Sequence, residues 1–243
     1  KLYNKMKNLT IYFPYYNSKD LLIFNLNHYS KMSENILKKI FIFIVDDGSQ
    51  EYPAYEVLKN NDDKCKKLNI TLYRININIP WNTPEANNLA FDKIKTKNVI
   101  RSDIDHIYSE KILNNILDRK ILKNRILFFK KRRLIDYNYN VLKKIKPGKN
   151  IYIISKKSYF KTEGYNEYFS GNYGDDLDFL PRAEKILNKR VTLLVNNVLE
   201  SSGTVGLSRD LTITSNKLKN HNRPFLKFVN KDHYILQYTN TLN

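Results

Sequence analysis

KKIFIFIVDDGS, residues 38–49, sets six apolar residues in a row between two lysines and two aspartates. The run is all β-branched or aromatic and never alternates with polar residues. A strand with water on one face would alternate, so Ile40–Val45 reads as a strand buried on both faces. Strands of that kind belong to largely parallel sheets with helices packed on either side. The run ends abruptly at Asp46-Asp47-Gly48-Ser49. Gly48 frees the backbone to turn, and Asp-Gly by itself is ordinary turn chemistry.

Working outward, the same grammar repeats through the first half. LTIYFPYY (9–16) is β-rich and leads through Asn17 and Ser18 into KDLLIFNLNHYSKM, with apolar residues at helical spacing. ITLYRIN (70–76) reads as a third strand. TPEANNLAFDKI (83–94) opens as a helix, with Thr83 as cap, Pro84 at the first position and Glu85 in the first turn. NVIRSDID (98–105) reads as a fourth strand. Strand alternating with helix gives an α/β fold with a mostly parallel central sheet flanked by helices. Ligands of such sheets sit beyond the carboxyl ends of the strands. PYYN, DDGS and SDIDH all fall there.

The second half is less regular. SEKILNNILDRKIL (109–122) reads as a helix, RILFFKK (125–131) as a strand, and NIYIISKKSYF (150–160) as a strand running into a short helix. Five of the seven glycines lie between Gly164 and Gly206, so EGYNEYFSGNYGDD (163–176) reads as a loop. DDLDFLPRAEKIL (175–187) has its acids at the end of a helix where the macrodipole favours them. VTLLVNN (191–197) reads as a last strand, and from Ser201 the chain reads as a polar tail.

Composition narrows the function. Of 243 residues 42% are hydrophobic, which excludes a wholly disordered chain. No apolar stretch approaches the roughly 20 residues that span a bilayer. One cysteine, Cys65, forms no internal disulfide and no cysteine metal cluster. With no leader evident, a reducing, cytoplasmic setting is expected. The 42 Lys and Arg against 24 Asp and Glu give a net charge of +18, which attracts polyanions of any kind. The cations are spread along the chain, densest at KKRRL (130–134). That spread predicts no specific nucleic acid partner, and leaves room for association with an anionic membrane surface.

The acids at strand ends carry the chemistry. Mg²⁺ and Mn²⁺ take hard oxygen ligands and keep positions open for phosphate oxygens and water. Asp103 and Asp105 point the same way if the strand runs through both; a turn at Ile104 would send them to different tasks. His106 reads as a polar turn residue. A carboxylate closing a strand, as at Asp46 and Asp47, can bind a ribose or the N3 hydrogen of a uracil.

The order and spacing of these motifs resemble the GT-A nucleotide-sugar glycosyltransferases, in particular the inverting family 2 type. LTIYFPYYN looks like the opening strand of that family, whose end, here Pro14 and Tyr16, lies against the nucleoside base. IVDDGS is similar to its nucleoside-binding acidic motif, Asp46 and Asp47. EANNLAF (85–91) resembles its arginine-asparagine-leucine segment, with Asn88 on the asparagine and Asn87 where an arginine is common. SDIDH matches the D-x-D motif, which implies Asp105 as metal ligand and Asp103 as a nucleotide-sugar contact. GNYGDDLDFLPR (171–182) resembles the acidic segment ahead of the catalytic helix, which implies Asp176 as general base, Asp175 as a partner for acceptor or donor sugar, and Arg182 at the donor. SRDLT (208–212) is similar to a tail motif of some relatives, and His221 matches a late histidine that ligates the metal.

The resemblance therefore implies one GT-A domain over 1–243: a nucleotide-sugar half (1–105), an acceptor and catalytic half (106–200) and a C-terminal tail (201–243). It implies transfer from a nucleoside diphosphate sugar, UDP-linked by expectation, to a glycan or other hydroxyl acceptor, with Mn²⁺ or Mg²⁺ as cofactor. Two rivals stand against it. A sugar nucleotidyltransferase would carry a glycine-rich phosphate loop after its first strand, where this chain has FPYYNSKD. A basic nucleic-acid-binding protein would cluster its cations and have no use for the acids.

Overall fold

A computed structural model of the protein describes residues 8–118, 124–146, 148, 150–171, 174–191, 195–199 and 234–242. The chain begins with β1 (Leu9–Tyr15), α1 (Lys19–Tyr29), α2 (Glu34–Leu37) and β2 (Ile40–Asp46). β1 and β2 pair in parallel along their whole length, Leu9 opposite Ile40 through Tyr15 opposite Asp46. Then come α3 (Ala54–Lys59), α4 (Asp62–Cys65), β3 (Ile70–Ile75), α5 (Thr83–Lys93) and β4 (Asn98–Arg101). β3 lies beside β2 and β4 beside β1, both parallel. Helix α5 starts at Thr83 with Asn82 in the cap position, one residue earlier than its sequence suggests.

The apolar strands are buried on both faces, as their lack of alternation requires. Leu9, Ile11 and Phe13 of β1 join one core with Ile42 and Ile44 of β2, Leu22 and Leu26 of α1. Tyr12 of β1, with Phe43 and Val45 of β2, faces the other core, against Leu89 and Phe91 of α5. Successive side chains thus reach opposite layers, and burying each large one stabilises the fold by about 1.5–3 kcal/mol.

β5 (His106–Ile107) and α6 (Glu110–Asp118) follow, then β6 (Arg125–Phe128), β7 (Lys131–Ile135), β8 (Val141–Ile145), β9 (Tyr152–Ser155), α7 (Lys156–Lys161), α8 (Asp175–Ile186), β10 (Asn188–Val191), β11 (Val195–Leu199) and β12 (Tyr234–Asn240). The large sheet has the order β10-β6-β9-β4-β1-β2-β3-β12. Only β9 and β12 run against the rest, so the sheet is mostly parallel. A second sheet has the order β5-β11-β7-β8.

Later in the chain, further features depart from the sequence expectations. The strand expected over 125–131 is β6 ending at Phe128, followed by β7 in the other sheet. Lys130-Lys131-Arg132-Arg133 cannot enter a core, so the chain leaves the central sheet where the charges begin. The strand expected over 191–197 falls on the end of β10 and the start of β11. The polar tail contains β12, which pairs antiparallel with β3. There Asn240 donates to the carbonyls of Cys65 and Leu68, at 3.0 and 2.7 Å.

Candidate active site

The DDGS turn is built around Asp46. Its Oδ1 accepts from the Ser49 N–H at 2.8 Å; its Oδ2 accepts from the Ala54 N–H, at the start of α3, at 2.8 Å and from Arg74 Nη1 at 3.1 Å. Asp46 is fully buried, and its carboxylate is spent holding the turn and the helix. Asp47 is buried beside it. Gly48 has φ +71°, and a Cβ there would come within 3.0 Å of Asn78 Cα and the Ile77 carbonyl oxygen. Glycine is therefore needed both for conformation and for the close passage of segment 77–78.

Beyond β4 the chain turns immediately. The His106 N–H donates to the Asp103 carbonyl at 3.0 Å, and Asn25 of α1 donates to the Ile104 carbonyl at 2.7 Å. The strand does not run through both acids; a turn separates them. Arg101, at the end of β4 and 3% exposed, donates to Asp103 Oδ1, to the Asn150 carbonyl (3.0 Å) and through Nε to Asn87 Oδ1 (3.3 Å). Asp105 Oδ1 lies 2.6 Å from His106 Nδ1. Burial works to raise the Asp105 carboxyl, but the His106 contact outweighs it and holds the group below its usual range.

Asp103, Asp105 and His106 each offer one ligand atom, all within 4.8 Å of one another. His106 is 2% exposed and its Nε2 has no hydrogen-bond partner. Two carboxylates plus a buried, unsatisfied imidazole nitrogen suit Mn²⁺ or Mg²⁺, Mn²⁺ accepting the nitrogen more readily.

The third acidic segment opens α8. Gly174 precedes it at φ +114°. Asp175 is buried and accepts from Trp81 Nε1 at 3.1 Å. Its carboxyl is pushed up to about 6, chiefly by burial and further by Asp176, against the Trp81 hydrogen bond and Arg101. Asp176 is half-buried.

Segment 77–81 ties these pieces together. Gly48 passes against Ile77 and Asn78, Gly171 lies nearest Ile79 and Pro80, and Trp81 holds Asp175. Buried phenols beneath register the same convergence. Burial pushes the Tyr12 hydroxyl up, and Arg101, Asp47 and Asp103 are all close enough to act on it. Tyr152 is raised likewise, with Arg101, Asp175 and Asp103 acting on it. Arg101, Asp47 and Asp103 thus neighbour Tyr12, and Arg101, Asp103 and Asp175 neighbour Tyr152.

Solved structures share this architecture. Staphylococcus aureus TarS (residues 1–349) in complex with UDP-GlcNAc superposes with TM-score 0.62 at 14% identity, covering 83% of this chain and 61% of that one. Mannosyltransferase PcManGT from Pyrobaculum calidifontis, in complex with GDP-Man and Mn²⁺, gives 0.59 at 13% identity, with coverages of 82% and 58%. GalNAc-T7 with UDP, GalNAc and Mn²⁺ gives 0.60 at 12% identity, with coverages of 81% and 44%. The fold is GT-A. The chain spans less than two thirds of each of these GT-A structures. No protein-family model matches the sequence, and no curated protein sequence matches it.

Within the GT-A frame the expected site residues divide into two groups. Asp47, Asp103 and Asp105 follow the carboxyl ends of β2 and β4, Pro14 and Tyr16 lie at the end of β1, both half-buried, and Asp175 and Asp176 open α8, Asp175 bonded to Trp81. Others are occupied by the fold itself. Asn88 donates to the Tyr165 carbonyl and Glu167 (2.9 and 2.8 Å) and accepts from the Tyr159 hydroxyl and the Tyr165 N–H (2.6 and 3.0 Å). Arg182 donates to Asp178 (2.7 Å) and to the Thr162 carbonyl, fixing α8 to the end of α7. Asp46 is committed as described. His221 lies outside the described residues. Sequence reasoning left His106, Arg101 and Trp81 at the margin. Their signals are slight: a histidine directly after D-x-D, an arginine closing a strand, and the only tryptophan.

Proposed function

We propose that the protein transfers a sugar from a nucleoside diphosphate sugar to a hydroxyl acceptor, using a divalent cation held by Asp103, Asp105 and His106. The observation that carries this reading is the cluster of those three side chains at the end of β4, with Arg101 behind it. The GT-A fold supports it, as do the nucleotide sugars and Mn²⁺ in complexes of the structural neighbours.

In this reading Asp47 and the end of β1 at Pro14 and Tyr16 receive the nucleoside, UDP by preference. Asp103, steadied by Arg101, faces the sugar diphosphate. A bound Mn²⁺ or Mg²⁺ supplies Lewis-acid compensation for the charge that builds on the departing diphosphate. Asp176 takes the acceptor hydroxyl's proton as the oxygen bonds to the anomeric carbon and the bond to phosphate breaks on the opposite face, inverting the centre. Asp175, held by Trp81, orients the sugar or acceptor. Residues 1–105 form the donor side and 106–200 the acceptor side of one domain, and 201–243 is its C-terminal tail, of which β12 lies at the sheet edge. The reducing, cytoplasmic setting belongs to the same reading.

A panel of nucleotide sugars assayed for donor hydrolysis and transfer, with and without Mn²⁺, tests it. Asp105→Ala is expected to abolish metal-dependent turnover. Asp176→Asn is expected to keep donor binding and lose transfer by about 10²–10⁴-fold, the range for a general base. Undiminished transfer by both variants contradicts the assignment.

A further inference from the structure

The β7–β8 hairpin carries a charge pattern that the site does not use. Between Lys130 and Lys146 the chain has seven cations and a single acid, Asp136. That acid is spent inside the turn, accepting from the Asn138 and Asn140 N–H groups at 2.8 Å each and from Asn140 Nδ2 at 2.9 Å. Arg133 stands directly opposite Lys144, and Lys143 opposite Leu134. Like charges directly opposite destabilise a strand pair. Among the described residues no acid pairs with Lys131, Arg133, Lys143 or Lys144, all exposed. Beside them Val141 and Leu142 are 53% and 46% exposed.

The hairpin is nonetheless firmly seated. β7 pairs with β11. At the turn, Tyr137 and Tyr139 pack on Phe24 of α1 (ring centroids 5.4 and 5.2 Å), and the Tyr139 hydroxyl meets His28 Nδ1 at 3.2 Å. A preformed strand pair that tolerates self-repulsion is complementary to an external polyanion.

We propose that this hairpin docks the protein on an anionic lipid bilayer. The aliphatic pair decides the class of partner. Val141 and Leu142 set among lysines match the mixed apolar and basic surface that enters a headgroup layer. Tyr137 and Tyr139 pack on Phe24 of α1 yet stay 47% and 44% exposed, amphipathic rings of the kind that sit at a headgroup layer. β7 and β5, which begins at His106, both pair with β11, so the docked hairpin shares its sheet with the candidate site.

Co-sedimentation tests this, using vesicles of phosphatidylcholine alone and of equal parts phosphatidylcholine and phosphatidylglycerol. The protein is expected to pellet with the anionic vesicles only, less so as salt rises. Arg133→Gln with Lys144→Gln is expected to weaken that binding about 25-fold, at about fivefold per basic residue, while raising Tm through relief of the cross-strand repulsion. Val141→Ser with Leu142→Ser is expected to weaken vesicle binding and leave heparin binding unchanged. Equal binding to neutral and anionic vesicles, or vesicle binding indifferent to both double variants, overturns the proposal. So does tighter binding to a duplex oligonucleotide that the first double variant abolishes.

Discussion

Asp175 shows how one carboxylate acquires a distinct chemistry. Its ordinary value of 3.8 is raised to about 6 in the folded protein, chiefly by burial. The folded state therefore holds this proton more tightly than the unfolded chain. The stability it lends is fully present below about pH 4 and is lost as pH rises through about 6. Asp175→Asn retains an acceptor for Trp81 and removes the titration. Denaturant unfolding at pH 4 and pH 7 is expected to show the variant gaining on the parent by up to about 3 kcal/mol at the higher pH, from about 1.4 kcal/mol per pH unit. The same pH slope in both proteins would contradict this. Nothing in DDLDF discloses the shift, because its cause is burial, which only the assembled fold imposes.

At the scale of elements, helix α5 is joined to the loop before α8 through Asn88. The side chain satisfies four groups there, and Gly164 makes room for it: φ is +74°, and a Cβ would approach Asn88 Oδ1 to 2.6 Å. Asn88→Ala is expected to cost about 3 kcal/mol or more, since it strands buried donors and an acceptor. Gly164→Ala is expected to cost about 2 kcal/mol or more through strain and the clash. The double variant is expected to cost less than their sum, because truncating Asn88 removes the very oxygen that the new methyl meets. Strict additivity in urea unfolding would contradict the clamp. Helix α5 itself was legible from its Pro and Glu at the first turn, whereas its partners, more than 70 residues on, left no local trace. The strands behaved similarly. Those whose apolar runs are buried on both faces declare themselves, as β1 and β2 do. β5, β7, β8 and β12 are short, basic or exposed, and only their neighbours make them strands.

For the whole molecule, the parallel order β3-β2-β1-β4 brings DDGS and SDIDH to one edge, and their position at strand ends already implied that much. What the strand pattern could not supply is the third dimension: segment 77–81 crossing from the DDGS turn to Asp175, and Arg101 turning inward to hold Asp103. The division of labour within each pair of acids was equally hidden. Asp46 and Asp47 look alike in sequence, yet the first is saturated by the turn it builds. In the proposed function, acids from these separate stretches gather around one sugar diphosphate with a cation between them. Calorimetric titration of UDP into the protein, with and without Mn²⁺, tests that most directly when repeated on Asp47→Ala and Asp105→Ala. Binding is expected to depend on Mn²⁺ and to weaken at least about tenfold with each substitution, the loss of about 1.4 kcal/mol. UDP binding of equal strength in all three proteins, indifferent to Mn²⁺, would contradict it.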